Sequence, residues 1–271
     1  MTTEILKEID SIIGLLEHKS LLGTERSRSD YWHNQINRIA PHEAKLHNAV
    51  KRMFSKQKSH ALLALQGAVN RNHVLLAPTQ ARNDYIEIAS PLLIMFLQNE
   101  MENGYQFVAG ESGDTTNPVS PGASTSPNNP NLPPLVNQAA LDWLKTRIGW
   151  AADQIGEESA SQLSQILHDG YAQGLSMQDI ASNIQDATCF SDARSMLVAR
   201  TEIMQASNYG NTEGYKAAGV QQVQWLTARD GDRVCEICAP MDGDIEDIDD
   251  APPLPESTHP NCRCIWIPVV S

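Results

Sequence analysis

The strongest constraint on the fold is a group of metal-ligand residue types in the last part of the sequence. Four of the five cysteines and one histidine lie within residues 235–264. They are Cys235, Cys238, His259, Cys262 and Cys264. Two cysteines separated by two residues place both sulfurs on one side of a tight turn, and zinc binds such sulfurs and imidazole nitrogens as a tetrahedron of four ligands. The spacing therefore predicts one zinc ion that joins two separate segments.

Five candidate ligands compete for the four positions of a tetrahedral site. Cys235 and Cys238 fill two of these positions. The other two go either to His259 with one of the later cysteines, or to Cys262 and Cys264 without the histidine. The set that includes His259 is at least as plausible as the set without it, and within it we prefer Cys264 to Cys262 by a small margin.

The sequence also indicates the chemical state of the thiols. The first residues, MTTEILKEID, lack a positively charged stretch followed by an apolar one, so we expect no signal peptide. The longest apolar run, Leu92–Leu97, is far shorter than the roughly 20 residues that span a bilayer. We expect a reducing cytoplasm and no membrane contact, and there clustered cysteines bind metals more often than they form disulfides. Cys189, which stands alone, is predicted to be an ordinary buried cysteine.

No arrangement typical of a catalytic site occurs in the sequence. His42 and His47 flank a glutamate, but they lie five residues apart, whereas the helix of a zinc protease needs histidines four apart. The His-x-Glu pattern of zinc deaminases is absent. A shell of four protein ligands also leaves no position for a reactive water. We therefore predict that the zinc is structural and that the protein is not an enzyme.

A change in composition divides the chain into two predicted domains. Residues 110–134 consist mainly of Gly, Ser, Thr, Asn and Pro, which is typical of a flexible linker. Before this linker, apolar residues at three- and four-residue spacing predict a helical N-terminal domain over residues 1–109. After it, residues 135–271 form the second predicted domain, which carries the zinc site.

Helices are predicted in both domains from the apolar periodicity and from capping residues. The first domain has helices over residues 5–16, 30–58, 60–76 and 80–103, with Pro41 near a start or kink and Pro91 in the first turn of a further helix. The second domain has three predicted helices. The first covers residues 141–171, the second begins after a capping box at Ser176, and the third covers residues 191–218 with Gly219 as its C-terminal cap.

The period of the apolar residues changes after Val220. Val223, Trp225 and Thr227 alternate with their neighbours, which predicts a strand with Trp225 on its buried face. Ile265–Val270 is a second β-rich run. The predicted fold class is therefore α+β, in which helical segments precede a small antiparallel sheet that the zinc ion staples.

The charge distribution argues against general nucleic-acid binding. The formal net charge is -13, whereas nucleic-acid affinity comes mostly from Lys and Arg that meet phosphates. The densest basic stretch contains Lys45, Lys51, Arg52, Lys56 and Lys58. A solvated helix face is the simpler interpretation of this stretch, and a weak DNA contact through residues 45–58 is the secondary hypothesis.

One series of motifs resembles a known family. The series begins with Ala199-Arg200-Thr201-Glu202 and continues with Asn208, Gly210, Tyr215, Gly219, Trp225 and Asp230. It ends with the Cys235-x-x-Cys238 pair, the His259-Pro-Asn-Cys262-Arg-Cys264 segment and Pro268. In order and spacing, residues 140–271 resemble the Mu F-like phage head morphogenesis domain.

The resemblance implies a minor head (capsid) protein of a tailed phage. Such a protein is incorporated near the portal vertex during prohead assembly in the host cytoplasm. It is part of the virion head until infection, when it is ejected with the DNA. Its expected partners are the portal protein, the scaffold and the major capsid protein. The alternative is a zinc-dependent enzyme or toxin effector that is delivered with the phage genome.

Two charged residues of the motif series have an expected structural role. Arg200 and Glu202 lie two residues apart on one helix, so their side chains cannot simply pair with each other. We expect each to anchor a neighbouring element by charge-assisted hydrogen bonds, with the zinc-bearing sheet as one candidate.

Overall fold

The computed structural model describes the chain in five stretches. These are residues 19–20, 22–67, 76–109, 138–229 and 234–270. The helix predicted over residues 5–16 and the linker predicted over residues 110–134 lie outside the described residues. The division into residues 1–109, 110–134 and 135–271 therefore stays a prediction.

Helices make up most of the described chain. The five α-helices there are α1 (Glu25–Gly67), α2 (Pro78–Ala109), α3 (Gln138–Ala172), α4 (Met177–Gln185) and α5 (Asp192–Ala217). The strands are β1 (Lys19–Ser20), β2 (Gln222–Leu226), β3 (Ile245–Asp247) and β4 (Ile265–Val270). Short 3-10 turns occur at Thr188–Phe190 and Ala239–Met241. The predicted α+β class, helices followed by a small antiparallel sheet, is confirmed.

Helix α1 is longer than the sequence predicted. The predicted break near residue 59 does not occur, because neither Gly nor Pro lies within residues 42–66 to interrupt the helix. Pro41 lies inside the helix, where it removes one backbone hydrogen bond without ending it. Leu46 and Phe54 are fully buried, and their packing favours one continuous helix over two.

The prediction that Pro91 begins a new helix is wrong, because α2 runs through it. The hydroxyl of Ser90 donates to the carbonyl oxygen of Ile86 at 2.7 Å instead of capping a new helix. Ala89 and Leu93, on either side of the proline, are both buried. Continuous packing of this face therefore offsets the cost of the proline.

Two predicted helix caps are confirmed. Ser176 and Asp179 form a reciprocal capping box at the start of α4. Gly219 follows α5 with φ +89, a left-handed conformation that glycine adopts without strain. The N–H of Val220 then donates to the carbonyl oxygen of Tyr215 at 3.0 Å, which closes the end of the helix.

The sheet has the strand order β1-β4-β2-β3, and every neighbouring pair is antiparallel. Trp225 on β2 lies opposite Trp266 on β4, and their rings meet edge to face at a centroid distance of 5.1 Å. Trp225 is 3% exposed, in agreement with the alternation of its strand. The paired indoles therefore form the centre of one face of the sheet.

The described contacts form two compact units, each built from several chain segments. The first unit comprises the described residues within 1–40, 96–109 and 204–270, and it contains the described sheet. The second comprises residues 41–95 and 138–203 and is helical where it is described. None of the described helices is long and apolar enough to cross a membrane.

Candidate metal centre

The first two candidate ligands lie in a tight turn just before the 3-10 turn at Ala239–Met241. The N–H of Cys238 donates to the Sγ atom of Cys235 at 3.4 Å, and the N–H of Ala239 donates to the carbonyl oxygen of Cys235 at 2.9 Å. These bonds fold the two intervening residues outward, and Ile237 is 54% exposed at the tip. Both sulfurs therefore lie on the inner side of the turn, as the two-residue spacing predicts.

The later ligands come from a second turn that leads directly into β4. The N–H of Cys262 donates to the carbonyl oxygen of His259 at 3.3 Å. Asn261 has φ +68, and asparagine is one of the few residues other than glycine that adopt this left-handed conformation readily. The turn brings His259 and Cys262 to the same side, while Cys264 lies next to the first residue of β4.

The structure brings all five predicted ligands together. Cys235, Cys238 and His259 form one group and Cys238, Cys262 and Cys264 form another, with the ligand atoms of each group within 4.8 Å of one another. Cys238 belongs to both groups. All five cysteines of the chain are free thiols. The arrangement is therefore compatible with a bound metal ion.

Two distances in the cluster match the edges of a tetrahedral zinc site. Bonds of about 2.3 Å to sulfur and 2.0–2.1 Å to nitrogen place two sulfurs about 3.8 Å apart, and a sulfur and a nitrogen about 3.6 Å apart. The Sγ atoms of Cys238 and Cys262 lie 3.7 Å apart, and Cys238 Sγ lies 3.5 Å from His259 Nε2. The distance from Cys235 Sγ to His259 Nε2 is shorter, 3.1 Å.

The tautomer of His259 suits a metal ligand. Its Nδ1 atom lies 2.9 Å from the carbonyl oxygen of Pro260, which can only accept a hydrogen bond, so Nδ1 carries the proton. The neutral ring then has its free electron pair on Nε2, which faces the sulfurs of Cys235 and Cys238. A carbonyl partner on the second nitrogen is the usual support for a metal-bound histidine.

The thiols differ strongly in acidity. A hydrogen bond from the thiol of Cys264 lowers the pKa of Cys262 to about 5, although burial acts in the opposite direction. The same hydrogen bond, together with burial, raises the pKa of Cys264 well above its ordinary value. Burial and the neighbouring thiol of Cys235 raise the pKa of Cys238 to about 12. Without a cation the cluster therefore keeps most of its protons, and a divalent cation would stabilise further thiolates.

The other two ligands are polarised by backbone groups. Burial opposes the ionisation of Cys235, but the hydrogen bond from the N–H of Cys238 brings its pKa below the ordinary value. Burial also opposes the protonation of His259, but the bond to the carbonyl of Pro260 and the charge of Cys262 raise its pKa. The lowered pKa favours a thiolate at Cys235, whereas the raised pKa favours a proton on His259 that a metal ion would have to displace.

The cluster is part of the hydrophobic core of the first unit. Cys238, Cys262 and Cys264 are 2–3% exposed. They pack with buried residues from α5, the sheet and the loops, namely Tyr215, Val220, Val223, Trp225, Ile248, Leu254 and Trp266. Cys189 lies elsewhere, buried in the second unit, and burial raises the pKa of its thiol to about 11. It is therefore an inert core residue, as predicted.

Asn208 has a role that the motif pattern did not reveal. From α5, its amide group donates to the carbonyl oxygen of Cys264 at 3.1 Å and accepts from the N–H of Trp266 at 3.2 Å. The side chain therefore pairs with β4 as a neighbouring strand would. A buried asparagine within a helix was the available signal, since such an amide needs partners, but the partners themselves are more than 50 residues away along the chain.

The two charged residues of the motif series make ion pairs with other helices of the second unit. Both carboxylate oxygens of Glu202 accept from the guanidinium group of Arg147, at 2.8 and 3.1 Å, and both side chains are buried. Arg200 lies 3.9 Å from the carboxylate of Glu43. On this helix, Asn208 contacts β4, the strand next to the cysteine cluster.

Asp242, three residues before β3, binds cationic side chains. Its carboxylate accepts from Arg28 at 3.2 Å and from Arg229 at 2.8 Å. It also accepts from the N–H of Thr227 at 2.9 Å. These contacts fix the loop between β2 and β3 to the start of α1, within the first unit.

The fold and the site together define a helical protein with a small antiparallel sheet and a Cys/His cluster of metal-ligand type. Residues 161–267 match the family described as Phage Mu protein F like protein. No curated protein and no solved structure matches the chain. The resemblance to the Mu F-like phage head morphogenesis family that the motif series indicated is thus confirmed over residues 161–267.

Proposed function

We propose that Cys235, Cys238, His259 and Cys262 bind one structural Zn²⁺ ion. Cys262 is supported by its 3.7 Å distance to Cys238 Sγ and by a pKa of about 5, which makes it the readiest thiolate. Cys264 then assists from outside the shell, because its N–H lies 3.5 Å from the sulfur of Cys262 and its thiol donates to the same atom. We therefore propose Cys262 as the fourth ligand, although the spacing of the ligands favoured Cys264 by a small margin.

Elemental analysis of purified variants tests the zinc proposal. We expect one zinc per chain in the native protein and in Cys189→Ser, which serves as the control. Cys262→Ser should lose most of the metal, whereas Cys264→Ser should keep it with weaker affinity. A native protein that is folded without metal would overturn the proposal. Metal that is lost in Cys264→Ser but kept in Cys262→Ser would show that Cys264 is the fourth ligand.

We further propose that the protein is a minor head protein of a tailed bacteriophage with a structural and not a catalytic role. It is incorporated into the prohead at the portal vertex, contacts the portal protein and either scaffold or major capsid protein, and leaves with the DNA at infection. The observation that carries this proposal is the family match over residues 161–267, which includes α5, β2, β3 and all five residues of the metal cluster.

Proheads assembled with and without the portal protein test this role. Quantitative mass spectrometry of purified particles should find the protein in portal-containing proheads and strongly depleted in portal-free ones. Equal incorporation in both would contradict the proposed position at the portal vertex. After ejection triggered in vitro, the protein should be found in the released fraction. Full retention in empty capsids would contradict the ejection.

A further inference from the structure

The helical segment over residues 44–67 differs in charge from the rest of this acidic chain. It contains Lys45, Lys51, Arg52, Lys56 and Lys58 and no Asp or Glu, whereas the whole chain has a net charge of -13. All of these residues lie on α1 within the second unit. Positive charge is therefore concentrated on one helix of a protein that is negatively charged as a whole.

The structure separates these five cations into two sets. The ammonium group of Lys51 lies 2.6 Å from the carboxylate of Asp192, and Lys58 donates to the carbonyl oxygen of Gln185 at 3.3 Å. The side chains of the other three, Lys45, Arg52 and Lys56, are exposed and make no ion pair or hydrogen bond with another described residue. Their charges are therefore available to an external partner.

The three free cations lie on a single line along the helix. They are seven and four residues apart, so a rotation of about 100° per residue places them within roughly 40° of one another. At 1.5 Å per residue the line is about 16 Å long, which corresponds to roughly five base pairs of duplex DNA at 3.4 Å each. Lys51 and Lys58 point more than about 90° away from this line.

The helix holds this line in place. Leu46, Val50 and Phe54 are fully buried on the opposite side of α1, so the backbone beneath the cations is packed and not free to rearrange. Asn48 and Ser55 are exposed beside the line and are small and uncharged, so they neither repel phosphates nor block a close approach. Residues 45–56 contain no exposed large apolar side chain of the kind that anchors a protein partner, and the exposed Leu63 lies seven residues beyond Lys56.

We propose that Lys45, Arg52 and Lys56 form a surface that binds the phosphate backbone of duplex DNA without sequence preference. Phosphate contacts of this kind release condensed counterions, so the logarithm of the affinity falls with the logarithm of the salt concentration by about 0.9 per contact. Three contacts give a slope of about -2.7 and a loss of affinity of roughly forty-fold between 50 and 200 mM salt. The inference does not depend on the proposed place of the protein in the phage head.

The test is fluorescence anisotropy of the full chain with a labelled duplex of random sequence at several salt concentrations. The triple variant Lys45→Gln, Arg52→Gln, Lys56→Gln should bind too weakly to measure at 50 mM salt. The control variant Lys51→Gln, Lys58→Gln, Lys145→Gln has the same net charge, and it should keep most of the affinity and the slope. Circular dichroism of both variants checks that the helices are intact.

Several results would overturn this proposal. The native protein could fail to bind the duplex at 50 mM salt, or the two triple variants could lose affinity equally. If the affinity for the duplex did not change with the salt concentration, phosphate contacts would not be the source of the binding. Polyglutamate that displaces the duplex from the native protein at equal charge concentration would indicate an acidic protein as the partner instead of DNA.

Discussion

The replacement Asn208→Ala tests whether the helix-to-strand contact holds the metal-bearing strand in place. The amide of Asn208, a residue only 4% exposed, bonds to the carbonyl oxygen of Cys264 and to the N–H of Trp266, and both of these residues are buried. Truncation to alanine leaves one buried N–H and one buried C=O without their partner. An unsatisfied buried group costs about 1–3 kcal/mol, and a carbonyl with a second electron pair costs less than an N–H. We therefore expect a loss of about 2–4 kcal/mol in the free energy of unfolding.

Urea unfolding measures this loss, with the zinc-loaded protein followed by tryptophan fluorescence. The control is Thr212→Val one turn further along α5, where a part-buried hydroxyl donates to a helix carbonyl and its loss should cost less than about 1 kcal/mol. The variant Asn208→Asp distinguishes the two bonds, because a carboxylate can accept from Trp266 but cannot donate to Cys264. A loss below about 0.5 kcal/mol in Asn208→Ala would refute the reasoning.

Two further predictions concern charged groups. Glu202→Gln should destabilise the protein by about 3–5 kcal/mol, because the buried Arg147 would lose the charge of the carboxylate that accepts its two hydrogen bonds. Arg147→Met combined with Glu202→Leu should cost less than Glu202→Gln alone in the same urea assay, and additive losses would contradict a paired site. Burial raises the pKa of Asp242, but bonds from the N–H of Thr227 and from Arg229 outweigh it and hold the pKa below 3.8. This group therefore stabilises the fold above that pH and loses its contribution as pH falls further, so the stability gap between the native protein and Asp242→Asn should narrow on acidification. A gap that is constant down to about pH 2.5 would contradict this.

The sequence predicted those features that local chemistry determines. The spacing of Cys235 and Cys238 specifies a tight turn whatever surrounds it, and the capping box at Ser176 and the terminating Gly219 act within one helical turn. The alternation of apolar residues after Val220 correctly predicted that Trp225 lies on the buried face of its strand. Each of these signals lies within a few residues, so a linear pattern contains all of the information that is needed.

Features that depend on distant segments could not be predicted in this way. Pro91 has an unfavourable local preference for a helix interior, and only the packing of the neighbouring Ala89 and Leu93 allows the helix to continue. The partner of Glu202 lies 55 residues earlier in the chain, at Arg147. Such contacts follow from the tertiary fold, and the charges alone do not identify them.

The choice between Cys262 and Cys264 also could not be predicted from the sequence, although the two residues are close together in the chain. Both cysteines fit the ligand spacing, and the sequence offers little to separate them. In the structure the left-handed Asn261 turns Cys262 toward Cys238, whereas Cys264 leads into β4 and donates its thiol proton to Cys262. The backbone conformation of one residue therefore supports Cys262 as the proposed fourth ligand.

The metal cluster should stabilise the start of α1 as well as the sheet, because residues at the start of this helix contact the same part of the first unit. The indole N–H of Trp32 donates to the carbonyl oxygen of Arg263, between the last two cysteines, at 2.9 Å. The hydroxyls of Tyr31 and Tyr215 lie 2.8 Å apart in the core, and Arg28 donates to Asp242. Chelation of the metal should therefore speed amide hydrogen exchange in residues 28–40 as well as in residues 234–270, since both segments rest on the turn that Cys262 and Cys264 flank.

Hydrogen exchange followed by mass spectrometry measures this coupling peptide by peptide. Added zinc should restore slow exchange in both segments of the native protein, and Trp32→Phe should uncouple them, because it removes the hydrogen bond to Arg263 but keeps most of the aromatic packing. Fast exchange confined to residues 234–270 after chelation would show that the turn opens alone. The start of α1 would then owe its stability to the apolar core and not to the metal.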